Sequence, residues 1–275
     1  MVGGEGRGGG GAARLGADQA STDLRTSYDI AAGHWNDGPE QVYGRLASTL
    51  VASAAVPVTG ITVLDLGAGT GAAGRAALAA GARHVVAADL ACGMLRQCAA
   101  PLCPVAADAT ALPFASQSFD LVLAAFSLSH LSSIATGLAE ARRVGMAIAV
   151  SAFAPGWTHP AKAAVDEALK AFGYEPPAWY VSFKAQAGRQ AEDPVLLSGS
   201  AARAGFIGVA LRTVDVPTGL STPAQLASWR LGMAHIAPFV CSLDPSRRAA
   251  ARRAAELAVE GSGPLVVGML VLTAS

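Results

Sequence analysis

One stretch constrains the fold more than any other. The apolar run Ile61–Leu66 (ITVLDL) ends in Gly67-Ala68-Gly69-Thr70-Gly71, and Ala72–Ala80 then reads as a helix closed by Gly81. A strand that passes through a glycine turn into a helix opens a βαβ unit and points helix amides at whatever sits on the turn. The alternation continues. His84–Ala88 reads as a strand ending at Asp89, Cys92–Ala100 as a helix, and Val105–Ala107 as a brief strand before Asp108. Phe119–Ala125 is a strong strand, Ile134–Val144 a helix and Met146–Phe153 another strand. This spacing predicts a parallel sheet with helices on both faces, joined by right-handed crossovers.

Beyond Pro155 the alternation loosens. Helices are expected over His159–Phe172, Leu196–Ala204, a segment capped by Thr222 with Pro223 at its first position, and Pro245–Val259. Pro176–Ser182 reads as aromatic-rich and irregular. Val209–Val216 and Pro264–Ala274 read as late strands that form an antiparallel pair at one sheet edge, with a helical insertion between them. The expected division is a Gly-rich disordered leader (1–20), N-terminal lid helices (21–58), a ligand-binding core (59–155) and a substrate-side segment completing the same sheet (156–275).

Composition narrows the partners. Only 15% of the 275 residues are charged, and 20 Lys plus Arg balance 20 Asp plus Glu. A neutral chain without basic patches has no electrostatic reason to seek nucleic acid or anionic lipid. The charge-free stretches 46–64 and 121–139 are broken by Ser, Thr or Gly, so no membrane span is expected. No basic segment followed by an apolar core marks a signal peptide. Cys92, Cys98, Cys103 and Cys241 form no C-x-x-C pair and no metal spacing. Free thiols in a reducing cytoplasm, and no metal, are expected. The composition leaves room for a homo-oligomer.

The glycine loop admits two parses. Gly69-Thr70-Gly71-Ala72-Ala73-Gly74 satisfies the dinucleotide pattern G-x-G-x-x-G, with Asp89 placed to hold a ribose. An NAD-dependent oxidoreductase follows from that parse. The other parse is Asp65-x-Gly67-x-Gly69-x-Gly71, with an acid at the strand end. Four pieces in order favour the second: VLDLGAGTG, VVAADLACGML, AADATALPF and SFDLVLAAFSLSHL. Over about Val63–Phe153 the chain resembles the class I S-adenosylmethionine-dependent methyltransferases. It is nearest the subgroup of ubiquinone and menaquinone C-methyltransferases and natural-product enzymes.

The resemblance implies a Rossmann-like, doubly wound, seven-stranded sheet, mostly parallel, with S-adenosyl-L-methionine as cofactor. It implies that Gly67, Ala68 and Gly69 pass against the methionine part, with Asp65 holding the loop and the amino group. It assigns Asp89 to the ribose hydroxyls, Leu90 and Met94 to the adenine face, Asp108 and the Ala109 amide to the adenine edge, and Phe126 to a backbone contact with the amine. Tyr28-Asp29…Trp35 resembles the lid of this subgroup, with Trp35 in place of its second tyrosine. Aromatic faces suit a sulfonium, which makes Tyr28 a cofactor or catalytic contact and Trp35 a substrate contact. His130, after the fourth strand, is the candidate base. Trp157, Tyr180, Trp229 and His235 are the candidate substrate contacts, because the scarce aromatics gather in this late region. Where the family often has a Pro-Gly-Gly turn, Arg142-Arg143-Val144-Gly145-Met146 runs straight in, so a shortened loop is expected.

The expected activity is methyl transfer to a small, fairly apolar molecule, plausibly a bacterial secondary metabolite. Methylation coupled to cyclisation, or a non-methylating cyclisation on the same cofactor site, stays open. So does the choice of C, N or O as acceptor atom.

Overall fold

A computed structural model describes residues 9–131, 133–185 and 187–275, with backbone only at 9–21 and 187–189. Seven strands form one sheet: β1 (Thr62–Leu66), β2 (His84–Asp89), β3 (Cys103–Ala106), β4 (Phe119–Ala125), β5 (Gly145–Phe153), β6 (Ala210–Pro217) and β7 (Val266–Ala274). Their order is β3-β2-β1-β4-β5-β7-β6. The first five pair in parallel, and β7 runs antiparallel to both β5 and β6. The expected mostly parallel sheet with a late antiparallel pair is therefore present. An all-parallel dinucleotide sheet ordered 3-2-1-4-5-6 has no strand in the place of β7.

Side chains alternate across the strands. Val63, Leu121, Leu123, Ala147 and Ala149 face one helical layer, while Leu64, Leu66, Val122, Ala124, Ile148 and Val150 face the other. Both faces are buried, which is why these strands read as continuous apolar runs. At the amino end of β1, Asp120 Oδ2 accepts from the Thr62 amide and hydroxyl, both at 2.7 Å. It ties β4 to β1 at the end remote from the glycine loop.

Several elements differ from expectation. Helix occupies only Cys92–Leu95 of the stretch 92–100. Beyond it the bonds tighten to three-residue turns, from Gln97 N to Met94 O and from Cys98 N to Leu95 O, as at many helix ends. Ala178–Ala185 is helical where Pro176–Ser182 reads as irregular, because Trp179 finds a buried place against the N-terminal helix. Ala187–Glu192 and Ala237–Ser242 are further short helices that periodicity does not reveal. The N-terminal helix runs Gly9–Trp35 and is followed by Pro39–Ala52. Of the leader 1–20, residues 1–8 lie outside the described residues. The shortened loop is present: helix Ile134–Val144 passes into β5 with no residue between them. A Cβ on Gly145 would stand 2.4 Å from Val122 Cγ2, so a larger residue there would displace the Val122 side chain. Among the described residues no helix is long and apolar enough to cross a membrane.

Candidate active site

The site lies at the carboxyl ends of β1, β2 and β4. Strand order reverses at β1, and open α/β sheets hold ligands at such a switch point. The loop after β1 folds back on β2: the Gly67 and Ala68 amides donate to Ala88 O at 2.8 and 3.0 Å. Gly67, Gly69 and Gly71 have φ of 68°, 56° and 87°, a region costly for residues with a Cβ. These are the three glycines of the Asp65-x-Gly-x-Gly-x-Gly parse. Gly74, which the dinucleotide parse needs, has no positive φ. It serves close packing, since a Cβ there would meet Leu102 Cδ2 at 2.8 Å.

Asp65 anchors the loop. It is buried, and its Oδ2 accepts from the Gly74 amide at 2.7 Å. Its Oδ1 is buried with no partner among the described residues. Burial pushes the carboxyl up to about 7; the Gly74 hydrogen bond opposes this and the nearby Asp89 charge adds to it. Asp89 uses both oxygens on backbone, accepting from Gly69 N at 2.7 Å and Ala91 N at 2.8 Å. Burial raises its pKa, against those amides. Each oxygen keeps a second lone pair for a ligand. Asp108 is exposed, with Oδ1 accepting from the Thr110 amide and hydroxyl, and Ala109 beside it is half-buried. Leu90 is exposed, whereas Met94 is fully buried with Ala31, Ala32, Trp35 and Trp179.

The N-terminal helix covers this end of the sheet. Asp29 Oδ1 accepts from the Gly93 amide and pins the helix beside β2. Tyr28 then meets His130, hydroxyl to Nε2, at 3.1 Å. Burial alone lowers the His130 pKa to about 4, so the imidazole is neutral at neutral pH. Burial, before all other causes, raises the Tyr28 phenol well above its ordinary value. The pair therefore shares one hydrogen bond between neutral groups, and the tautomer decides which donates. His130 Nδ1 is buried without a partner among the described residues.

From this pair a chain of rings crosses the site. His130 stacks on Phe183 at 4.8 Å, and Tyr28 lies 5.8 Å from Trp35, which stacks on Tyr43. Tyr43 meets Phe126 edge-on, Phe126 lies 4.7 Å from Phe153, and Phe153 stacks on Trp157. Phe126 has φ of 56°. A bulky residue there is strained, and such strain gathers at functional sites. Tyr180 stacks on His235 with centroids 3.8 Å apart. Of the expected substrate contacts, Trp35 and Trp157 lie within the ring chain, and Tyr180, stacked on Phe183 at 6.2 Å, links His235 to it. Trp229 is buried in the main core, edge-on to His159.

Sequence reading misses Tyr43, Phe153, Phe183 and Lys162. Lys162 Nζ stands 4.8 Å from the Trp157 centroid and 5.7 Å from that of Phe153. Phe153, the last residue of β5, had a usable signal, because strand carboxyl ends face the ligand side. The others come from helices whose packing decides which face meets the site.

Known proteins resemble this chain in sequence or in fold. Residues 64–146 match the family model described as a methyltransferase domain. The demethylmenaquinone methyltransferase of Clavibacter sepedonicus is 41% identical over 128 residues, covering 44% of this chain and 50% of that protein. The chain spans about half the length of the curated relatives it matches. Two solved structures share the fold. A protein assigned as a methyltransferase of an antibiotic biosynthesis pathway in Anabaena variabilis has a TM-score of 0.53 at 15% identity, over 84% of this chain and 96% of that one. The [4+2]-cyclase SpnF has a TM-score of 0.50 at 20% identity, over 84% and 80%.

Proposed function

We propose that the protein, whose residues 64–146 match a methyltransferase-domain model, moves a methyl group from S-adenosylmethionine to a small, fairly apolar, ring-containing acceptor. One observation carries the reading: a buried carboxylate oxygen without a partner among the described residues, Asp65 Oδ1, sits at the glycine loop near Asp89, which itself receives the Gly69 amide of that loop. These groups suit a ligand with a cationic amine, a ribose diol and a sulfonium. When bound, the cofactor supplies a methyl group already activated by the sulfonium charge.

The chain's own part is alignment and exclusion of water, worth ~7–11 kcal/mol for well-oriented reactants. Asp65 takes the amino group and Asp89 the ribose. Leu90, Met94, Asp108 and Ala109 surround the adenine, and Phe126 closes the methionine end. Trp35, Trp157, Tyr180 and His235 face the acceptor. Tyr28 and His130, joined hydroxyl to Nε2 at 3.1 Å, are the pair we assign to taking a proton from an acceptor hydroxyl. The relatives' name makes a demethylated quinone the first acceptor to try. The SpnF likeness favours a second reading, cyclisation on the same scaffold, which product analysis separates.

The test is calorimetry with S-adenosylhomocysteine on the wild type and on Asp89→Ala. Asp89 supplies charge-assisted contacts of ~1.5–3 kcal/mol each, so the variant should bind at least about tenfold more weakly. Mass spectrometry of acceptors incubated with S-adenosylmethionine should then show a methyl gain. Binding of NAD in place of S-adenosylhomocysteine, or an Asp89→Ala affinity equal to wild type, refutes the assignment.

A further inference from the structure

The glycine loop is held from outside as well as from within. Thr70 stands between Gly69 and Gly71, whose φ of 56° and 87° lie in the left-handed region that glycine enters freely. Thr70 itself is 2% exposed, and its hydroxyl donates to Glu40 Oε2 at 2.6 Å. Its carbonyl accepts from Arg75 Nη1 at 2.5 Å, and Arg75 Nη2 donates to Glu40 Oε1. The three residues close a ring of hydrogen bonds. Arg75 comes from helix Ala72–Ala79, which starts directly after the loop, whereas Glu40 reaches in from helix Pro39–Ala52.

Glu40 is itself firmly placed. It lies in the first turn of its helix, where a carboxylate meets the positive end of the helix dipole. That helix start is wedged against the later half of the chain. A Cβ on Gly38 would stand 2.3 Å from the Ser228 backbone, and one on Gly232 would stand 2.6 Å from Pro39 Cδ. Tyr43 of the same helix, three residues on from Glu40, stacks on Trp35 and meets Phe126 edge-on. Residues three apart are neighbours on a helix surface, so this helix touches the glycine loop with one side chain and the ring chain with the next. The ion pair alone does not explain the arrangement. The Arg75 and Glu40 side chains are 41% and 21% exposed, and pairs open to water contribute little to stability. The buried arm is the Thr70 hydroxyl, and it ends on the loop.

We propose that Glu40 is a positioning residue of the cofactor site: through Thr70 it clamps the Gly69–Gly71 turn in the conformation that receives S-adenosylmethionine. The proposal rests on the methyltransferase reading and deepens it. Without the clamp a turn flanked by two glycines samples other conformations, and ligand binding must then offset the entropy of ordering it. The loss falls on cofactor affinity, although Glu40 acts through the loop and not on the ligand. A tie that only supported the fold would lower the melting temperature and leave the affinity of the folded protein unchanged.

The experiment is calorimetry with S-adenosylhomocysteine on the full chain, with a thermal scan of each sample to confirm a cooperative fold. Thr70→Val removes the hydroxyl at nearly constant volume and should weaken binding by about tenfold, as for one hydrogen bond to a charged group. Thr70→Ser keeps the hydroxyl and should restore most of the affinity. Glu40→Ala should weaken binding at least as much as Thr70→Val, and the double variant no further, because both act through one contact. Glu40→Gln loses the charge but keeps an oxygen for Arg75 and an amide that can donate to the Thr70 hydroxyl, so it should recover most of the affinity. In the ligand-free protein, amide exchange at Gly69 and Gly71 should be faster in Thr70→Val than in the wild type. Wild-type affinity or wild-type exchange in Thr70→Val, losses that multiply in the double variant, or Glu40→Gln as weak as Glu40→Ala overturns the clamp. The last result would mean that charge at a distance, not the hydrogen bond, sets the affinity. A wild type that does not bind S-adenosylhomocysteine defeats the methyltransferase reading and the clamp with it, whereas binding that the variants match defeats the clamp alone.

Discussion

Asp65→Asn separates what the buried acid does for the fold from what it does for the ligand. In the ligand-free protein burial moves this carboxyl from 3.8 to about 7. At ~1.4 kcal/mol per pH unit, that is up to about 4 kcal/mol between its two protonation states. The folded pKa lies above the unfolded one. Between the two values the folded chain holds a proton that the unfolded chain has lost, so this group's contribution is complete below pH 3.8 and is lost as pH rises through about 7. Asparagine keeps an oxygen for the Gly74 amide and does not titrate. Denaturant unfolding of both proteins at several pH values should give a stability difference, variant minus wild type, that grows by up to ~4 kcal/mol from pH 4 to pH 8. The variant should be the more stable ligand-free protein at pH 8, and should bind S-adenosylhomocysteine more weakly. Calorimetry of wild type near pH 7, in buffers of different ionisation enthalpy, should show proton release on binding. A stability difference independent of pH, or unchanged ligand affinity in the variant, would refute the reasoning.

His130→Phe keeps a ring for Phe183 and removes the link to Tyr28; turnover should fall by ~10²-fold with S-adenosylhomocysteine affinity unchanged. Because burial lowers His130 to about 4, the wild-type rate should show no step from this imidazole between pH 5.5 and 8, and its contribution to stability should be lost as pH falls from 6.5 toward 4. Full activity in the variant removes His130 from the mechanism. Asp166→Ala strips the counter-charge from Arg230, which is 3% exposed. Removing one member of a buried pair costs ~3–5 kcal/mol, and the partial exposure of Asp166 reduces this to about 2–4 kcal/mol. Tm should drop by roughly 10 °C in a thermal scan; an unchanged Tm would show that water already screens the pair.

Much of the frame is legible in order and period alone. Phe119–Ala125 and Ile134–Val144 have the bounds expected of them, because a buried parallel strand and an amphipathic helix each impose a strong pattern. Thr222 with Pro223 marks its helix for the same kind of local reason, and the capping box with Gln225 is present. The glycine loop is local too, since left-handed backbone at Gly67, Gly69 and Gly71 follows from residue type. So is the placing of Asp65 and Asp89, because strand ends fall on one edge of a parallel sheet.

The acceptor side is different. Its rings come from the two N-terminal helices, from the carboxyl ends of β4 and β5, and from helices and turns more than a hundred residues beyond the first helix. Nothing within any one segment says that Tyr28 will meet His130, or that Lys162 will lie over Trp157. Trp229 and Tyr180 look alike in sequence, yet packing buries one in the core and stacks the other on His235. The sequence determined the sheet, the glycine loop and the acids at its rim, because those depend on backbone geometry repeated at short range. Only the tertiary structure decided which rings and charges share the acceptor side, because that depends on how separate helices pack against one edge of the sheet.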